Sequence, residues 1–356
     1  MTSAALRAVN PVTSTYSALS RTVRDAGLLR KTPRYYLWTL GVLTAALGGI
    51  VTGFVLLGDS WFQLLMAGAL GLVLTQFSFV AHEAAHKQVF ASGPVNDRVG
   101  RILANGVAGI SYSWWMTKHT RHHANPNKVG KDPDIAMDTI AFTEDQAREQ
   151  KGFLRFVHRY QGWLFFPLLT LEGLNLHVTS IRSLFTGSPD TLRARVQELV
   201  VIGLRLSLYL TAVFWVLPLG IAFAFVGVQM AVFGVYMGAS FAPNHKGMKL
   251  VPADSKLDFL SKQVLTSRNI RGGWFMSILM GGLNYQIEHH LFPSMPRPHL
   301  HRAREIVREH CAHLGIPYTE TSLIASYGIV VRYLNRVGLQ ARDPFDCPMF
   351  HQLRKL

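Results

Sequence analysis

Four long apolar blocks, arranged as two close pairs, limit what this chain can fold into more than any other feature. Residues 36–57 and 61–81 form the first pair, and only Gly58-Asp59-Ser60 lies between them. Residues 199–216 and 219–242 form the second pair. Each block approaches the ~20 apolar residues that an α-helix needs to cross a bilayer. The sequence therefore predicts an all-α integral membrane protein with two transmembrane hairpins.

The composition agrees with this interpretation. The length could hold two soluble domains, but charged residues make up only 16% of the 356 residues, and the hydrophobic residues, 49% of the total, are gathered in long blocks. The first thirty-odd residues are basic and lack an apolar core, so we expect the first apolar helix, and no cleaved signal peptide, to target the chain. Cys311 and Cys347 are too few for a disulfide framework, and we expect both to be free thiols.

The distribution of positive charge predicts how the hairpins are oriented. No Lys or Arg occurs in residues 36–81 or 206–245, so both hairpin turns lack positive charge and face away from the cytosol by the positive-inside rule. The basic N-terminal segment 1–35, the cap segment 82–198 and the C-terminal cap 244–356 are then cytosolic. We expect a multi-pass protein of a bacterial plasma membrane, with both termini and the active site in the cytosol.

Two further apolar segments, about 99–116 and 163–176, are interrupted by polar residues. These residues are Arg101, Asn105, Glu172 and Asn175. We predict that both segments form interfacial or cap helices, so that four helices span the membrane. The alternative is a fifth or sixth span. The apolar spacing in residues 301–313 predicts a soluble amphipathic helix that closes over the site.

Histidines are concentrated in three short boxes, all on the predicted cytosolic side, and a helix places residues three or four apart on one face. A further histidine, His245, ends the fourth apolar block, opposite the end of the second. The predicted metal ligands are His82, His86, His119, His122, His123, His245, His289 and His290. Eight imidazoles are too many for one tetrahedral zinc and suit two metal ions. Imidazole is compatible with Zn, Cu, Fe or Ni, so ligand type alone leaves the metal open.

Polar residues beside the boxes are candidates for orienting the ligating rings or for weak ligation. They are Glu83, Asp132, Asp134, Asn244, Gln286 and Glu288. For the four acids, a solvated or helix-capping role is the alternative. The remaining histidines lack box spacing, and we expect them at surface or capping positions. They are His158, His177, His299, His301, His310, His313 and His351.

Two other functional classes compete with a di-metal enzyme. The run from His82 to His86 matches H-E-x-x-H, in which Glu83 would be the general base of a zinc protease, but this reading leaves two histidine boxes without a role. A metal carrier would hold its ligands near mid-membrane, whereas these lie at the ends of predicted spans. The net charge of +15 favours anionic lipid headgroups and an acidic protein partner, and no nucleic-acid-binding motif accompanies it.

From residue 36 onward the chain resembles the membrane fatty acid desaturase family, in which the boxes read H-x-x-x-H, H-x-x-H-H and Q-x-x-H-H. Here they are His82/His86, His119/His122/His123 and Gln286/His289/His290. The resemblance implies a non-haem di-iron centre that uses dioxygen and two electrons to introduce a cis double bond into a long acyl chain. Lipid hydroxylases, ketolases and sphingolipid desaturases share this scaffold and are the alternative outcomes.

Gln286, at the first position of the third box, is similar to the front-end and acyl-lipid branch of that family. Members of the branch often carry a fused cytochrome b5 domain with a His-Pro-Gly-Gly motif, which does not occur in this sequence. We therefore expect a separate electron donor, such as a ferredoxin with a flavoprotein reductase, docking on the basic face. The resemblance leaves open whether the acyl chain is carried by CoA, a carrier protein or a lipid.

Overall fold

The computed structural model describes residues 11–136, 139–149, 151–186 and 191–340, and helices dominate this part of the chain. Its α-helices, in chain order, are α1 (Pro11–Asp25), α2 (Pro33–Leu57), α3 (Gln63–Ala85), α4 (Gly93–Arg101), α5 (Tyr112–Ala124), α6 (Glu144–Glu149), α7 (Gly152–Arg159), α8 (Gln161–Thr186), α9 (Leu192–Val216), α10 (Leu219–His245), α11 (Phe259–Thr266), α12 (Gly273–Leu279), α13 (Gln286–Leu291), α14 (Arg297–His313) and α15 (Leu323–Gln340). A π-helical segment (Ile102–Ala108) follows α4, and 3-10 turns precede α6 (Pro133–Ile135) and α13 (Leu283–Tyr285).

Within the described residues, five helices are long and apolar enough to cross a membrane: α2, α3, α8, α9 and α10. Four of them match the predicted blocks, although α9 begins at Leu192, earlier than predicted, and α3 and α10 continue far enough to include His82 and His245. The fifth is α8, which the sequence predicted as an interfacial helix ending near residue 176. It continues to Thr186, with Val178, Ile181, Leu184 and Phe185 interspersed among polar residues. The prediction of four spans is therefore not confirmed.

Helix α10 is central to the bundle and packs against α3 on one side and α8 on the other. Two glycines, one on each helix, allow the close contact between α10 and α8. A Cβ on Gly173 of α8 would lie 2.2 Å from the Met230 carbonyl oxygen, and a Cβ on Gly234 of α10 would lie 2.3 Å from the Gly173 amide nitrogen. Residues without a bulky side chain let helix backbones approach this closely. The close packing fixes α8 against the half of α10 that leads to His245.

The N-terminal basic segment contributes a folded helix to the cap. Leu19 and Val23 of α1 are buried in one cluster with Val307 of α14, and the Tyr16 hydroxyl donates to the Leu291 carbonyl oxygen at 2.8 Å. Helix α14 confirms the predicted amphipathic helix and buries Ala303, Val307 and Cys311. Cys311 is a free thiol in this core, whereas Cys347 lies outside the described residues.

In the ranges that the structure describes, two short strands are the exception to the predicted all-α fold. Strands β1 (Asn269–Ile270) and β2 (Glu320–Thr321) pair in parallel, with Asn269 opposite Glu320 and Ile270 opposite Thr321. They join the segment that follows α11 to the segment that follows α14. The C-terminal cap is thereby closed around α13, which carries the third histidine box.

Candidate metal centre

Five of the eight predicted ligands form one group. Each offers a ring nitrogen, and these nitrogens all lie within 4.8 Å of one another. The members are His82, His86, His119, His123 and His289. Because α3 places His82 and His86 one turn apart, both Nε2 atoms face the His119 Nε2, at 3.0 Å and 2.8 Å. The first box therefore meets the second across the end of α3.

The other three predicted ligands, His122, His245 and His290, form a second buried group. The His245 Nε2 lies 3.3 Å from the His122 Nε2 and 3.1 Å from the His290 Nε2. The two groups adjoin, since the rings of His123 and His290 are stacked 4.2 Å apart. The structure thus brings all eight predicted histidines together, from three boxes and the end of α10.

The Nδ1 atoms of the second group all have acceptors. The His122 Nδ1 lies 3.0 Å from Asp132 Oδ1, the His245 Nδ1 lies 2.9 Å from the Thr266 carbonyl oxygen, and the His290 Nδ1 lies 2.9 Å from Gln263 Oε1. An acceptor at Nδ1 holds the ring proton there and leaves the Nε2 lone pair free for a metal. All three Nε2 atoms therefore face one point as donors to a cation.

Electrostatics keep most of these imidazoles neutral. Burial, followed by the neighbouring histidines, lowers the pKa of His119, His123, His289 and His290 well below the ordinary histidine value. His122 differs: burial lowers its pKa, but Asp134 and Asp132 outweigh burial and raise it. Neutral imidazole is the form that binds metals.

Unpaired ring nitrogens indicate that the donor set fits a metal. Within the described part of the chain, His82 Nδ1, both ring nitrogens of His123 and His289 Nε2 are buried without a hydrogen-bond partner. Buried polar atoms left unpaired cost about 1–3 kcal/mol each. Two cations ligated by the two groups would relieve this cost, since imidazole nitrogen is a good ligand for first-row transition metals.

Four other polar candidates lie at the second group. Asp132 Oδ1 lies 3.0 Å from the His122 Nδ1, and Asp134 Oδ2 lies 3.4 Å from the same nitrogen. The Gln286 Nε2 lies 2.9 Å from the His245 Nε2, while its Oε1 accepts from the Asn244 Nδ2 at 3.2 Å. The Gln286 amide therefore lies close to the nitrogens of the second group, where a metal would bind, and Asn244 fixes its orientation.

Glu83 lies between two predicted ligands but has another partner. The Arg297 Nε donates to Glu83 Oε1 at 2.7 Å, a second guanidinium nitrogen donates to Oε2, and the Tyr36 hydroxyl donates to Oε1 at 3.2 Å. Both charged side chains are almost fully buried. A carboxylate held by a buried guanidinium is a poor general base, so this geometry disfavours the zinc-protease reading of the first box.

Glu288 does not orient a histidine ring, contrary to the prediction. Its two carboxylate oxygens accept from the Asn269 side chain at 2.7 Å and from the Tyr318 hydroxyl at 2.9 Å. The Asn269 side chain also accepts from the Ile287 amide at 2.9 Å. Glu288 therefore ties α13 to β1 and fixes the backbone that presents the third box.

The histidines outside the boxes were predicted at surface or capping positions, and this is wrong for His177, which is buried in the interior of α8. His158 is also buried, but it lies in the last turn of α7. Both ring nitrogens of His177 lie near backbone carbonyl oxygens, 2.7 Å from Gly173 and 3.1 Å from Ala108. His299 is half-buried, with its Nδ1 2.7 Å from the Leu28 carbonyl oxygen. His351 lies outside the described residues.

An apolar cavity of about 240 Å³ adjoins the histidines. It contacts His119, His122 and His245 and is otherwise lined mainly by apolar side chains such as Trp115 and Phe241. Trp115 and Phe241 also line a smaller cavity of about 40 Å³ that touches His82. The two cavities together place apolar space against both histidine groups. This arrangement suits a flexible hydrocarbon chain.

Several residues that shape the site were not predicted. The most important are Gln263, Thr266, Asn269 and Arg297. None lies within a histidine box, and each reaches the site through a contact between segments distant in sequence. Box spacing therefore contained no signal for them.

Comparison with known families agrees with the boxes. The sequence model of the fatty acid desaturase family matches residues 59–322, which is most of the chain. The chain belongs to the fatty acid desaturase family. It is accordingly an oxidoreductase of lipid metabolism, a desaturase that is associated with membranes.

Curated relatives extend over almost the whole chain. A Delta(8)-fatty-acid desaturase of Arabidopsis thaliana is 29% identical over 94% of this chain and 77% of its own length. A Delta(6)-fatty-acid desaturase of Caenorhabditis elegans is 28% identical over 91% and 74%, and an acyl-lipid (9-3)-desaturase of Borago officinalis is 28% identical over 94% and 77%. The names of these relatives are those of front-end and acyl-lipid desaturases, the branch of the family that Gln286 indicated.

Proposed function

We propose that this desaturase binds two iron ions through the seven histidines of its three boxes and His245. It then uses dioxygen and two electrons to form a cis double bond in a long acyl chain. The observation that carries the proposal is the convergence of the two histidine groups beside one apolar cavity. When bound, the iron supplies the oxidising power for breaking unactivated C–H bonds. The residues of the chain bind the metals, exclude water and position the substrate.

The two metal sites would differ in their ligands. The group of five would hold one ion in a nearly complete nitrogen shell. The group of three would hold the other, with Gln286 as a weak ligand or a water-holding amide, because it lies 2.9 Å from the His245 Nε2. Asp132 would strengthen His122 as a donor by accepting its Nδ1 proton.

We propose four transmembrane helices, with α8 lying at the interface. The second half of α8 exposes Asn175 and Arg182, which would face lipid if α8 crossed the bilayer. Exposed polar groups in hydrocarbon are costly, whereas an interfacial helix tolerates them. With both hairpin turns on the outer side, the histidines and both termini would be cytosolic, as expected for the plasma membrane of a bacterium.

A separate acidic electron donor would dock near His123, which is half-buried and therefore close to the surface. Lys262 donates to the Ala124 carbonyl oxygen at 2.7 Å, immediately beside His123. Burial and the charges of Lys128 and Lys131 lower the pKa of Lys262, so three lysines share this surface. A ferredoxin reduced by a flavoprotein has the charge to complement it.

The substrate would enter the 240 Å³ cavity with its polar head at the charged rim. Lys118 and Lys246 lie there, and both contact Asp134: the Lys118 Nζ lies 3.0 Å from its Oδ1, and the Lys246 Nζ donates to its carbonyl oxygen at 2.7 Å. Methylenes offer no hydrogen bonds, so distance from this rim would set which carbons reach the metals. The acyl group would be carried by CoA, a carrier protein or a lipid.

Two measurements test the proposal. The first is the metal content of the purified protein, for which we expect two irons per chain. The second is fatty acid analysis of a host that expresses the protein with a working donor, with mapping of double-bond positions. New cis-unsaturated acyl chains are expected, and saturated, unhydroxylated lipids would refute the proposal. Hydroxylated products would instead assign the chain to the related hydroxylase chemistry.

A further inference from the structure

The apolar run that precedes the third box has an unusual position. It forms α12, a seven-residue helix that exposes Trp274 at 75%, Phe275 at 61% and Ile278 at 48%. Its opposite side packs Met276 against the buried Phe79 and Met280. A helix that is apolar on all sides belongs inside a core or inside hydrocarbon, because water would have to solvate one face.

The end of α12 is in contact with the interior of two membrane-spanning helices. The Gln76 Nε2 of α3 donates to the Ile278 carbonyl oxygen at 3.1 Å, and the Tyr236 hydroxyl of α10 donates to the Leu279 carbonyl oxygen at 2.6 Å. The Gln76 Nε2 also donates to the Tyr236 hydroxyl at 2.6 Å. Two polar side chains on largely apolar helices thus donate to the carbonyl groups where α12 ends.

The depth of these contacts follows from helix geometry. Tyr36 and Glu83 lie at one level, since their side chains are hydrogen-bonded, and tyrosines beside a basic N-terminal segment are typical of a membrane interface. Gln76 precedes Glu83 by seven residues in α3, which corresponds to about 10 Å along the helix axis at 1.5 Å per residue. The end of α12 therefore reaches about 10 Å past the interface level.

Glycine pairs allow the chain to enter and leave this position. Gly272 and Gly273 precede α12, and Gly281 and Gly282 follow it, all with positive φ. A Cβ on Gly281 would lie 2.3 Å from the Phe79 ring, so a side chain there would collide with α3. The backbone can therefore turn sharply on both sides of α12 and return to α13 within a few residues.

We infer that residues 272–282 form a re-entrant segment that inserts into the hydrocarbon of the leaflet on the histidine side, with the bilayer itself as its partner. Bilayer hydrocarbon has no water to satisfy a broken backbone, so non-helical segments persist there only where protein groups pair with them. Gln76 and Tyr236 provide that pairing. An apolar groove of about 460 Å³, lined in part by Leu279 and Met280, continues the same lipid-facing surface.

The insertion has a structural consequence for the centre. Because the segment runs directly into α13, its contacts with α3 and α10 hold the third box to the two helices that carry His82 and His245. The inference concerns membrane topology and needs neither iron nor desaturation to be correct.

The experiment uses spin labels on the full chain in phospholipid vesicles. Cys311 is buried and stays in place, Cys347 is replaced by serine, and a single cysteine is introduced as Phe275→Cys. Val42→Cys is the lipid control, because Val42 is 48% exposed on α2 at a similar distance from Tyr36, and Lys249→Cys is the water control. Collision rates of each nitroxide are measured with oxygen, which concentrates in hydrocarbon, and with a water-soluble nickel chelate.

The inference predicts an oxygen-to-nickel collision ratio at position 275 close to that at position 42 and several-fold above that at position 249. A ratio at position 275 close to that at position 249 would overturn it, since the segment would then lie in water. Each variant must elute as the parent does on size exclusion. All three substituted positions are exposed, so this requirement is readily met.

Discussion

Replacing Glu83 by glutamine tests how the first histidine box is held. The substitution keeps the shape of the side chain but removes the negative charge that faces Arg297, whose guanidinium is itself buried. Burial lowers the pKa of Arg297, but Glu83 outweighs this and raises it. The variant loses that effect of Glu83, yet the guanidinium stays charged because arginine is too basic to be deprotonated in a protein. An unpaired buried charge then remains between α3 and α14.

The expected cost can be worked out from the contacts. Removing one partner of a buried ion pair costs about 3–5 kcal/mol. Glutamine still accepts one hydrogen bond, from Arg297 or Tyr36, so we expect the lower end, about 3 kcal/mol. The matched control is Glu144→Gln, whose partner Arg148 lies 3.6 Å away with both side chains well exposed, and such surface pairs contribute at most about 1 kcal/mol.

The assay is denaturant-induced unfolding in a fixed detergent, followed by tryptophan fluorescence, together with metal analysis. We expect Glu83→Gln to lose stability and iron together, because His82 precedes Glu83 on α3 and His86 directly follows that helix. The double variant Glu83→Gln/Arg297→Gln should recover part of the stability, since it removes the unpaired charge.

A different pattern would refute the ion-pair reasoning. If Glu83→Gln were as stable as Glu144→Gln and kept its metal but lost all activity, Glu83 would be acting as a catalytic base. The zinc-protease reading of the first box would then need to be reconsidered.

Three further predictions concern single side chains. His245→Ala should remove the metal of the three-histidine group and so halve the iron content measured by mass spectrometry, whereas His177→Ala should keep all of it; equal loss from both would show that the ligand set is wrong. Gln286→His should retain full iron, because it adds an imidazole at a ligand-distance position, and loss of metal would contradict this placement. Tyr236→Phe should cost about 1–3 kcal/mol and loosen a spin label at Phe275, because a carbonyl oxygen of α12 loses its donor, and an unchanged spectrum would count against that bond.

Much of the centre was predictable because its signals are local. Helical periodicity places His82 and His86 on one face, and the spacing of His119 and His123 does the same in α5. Apolar block length located four long helices without knowledge of their neighbours. The function of the family was also accessible, since the boxes are short motifs whose order and spacing are visible in the chain.

The division of the eight histidines was not predictable. His122 and His123 are adjacent in sequence yet belong to different groups, because consecutive residues of α5 point about 100° apart. His289 and His290 are split in the same way. Which residue joins which group depends on how α3, α5, α10 and α13 are packed.

The sequence by itself determined the membrane class, the histidine set and the amphipathic helix α14, because each depends on the type and spacing of residues that are neighbours in the chain. Only the tertiary structure decided that Glu83 pairs with Arg297, that Glu288 holds Asn269, and that α12 meets Gln76 and Tyr236. The partners in these contacts lie far apart along the chain. Local pattern carries no information on such pairs, and packing of the helices alone brings them within hydrogen-bond distance.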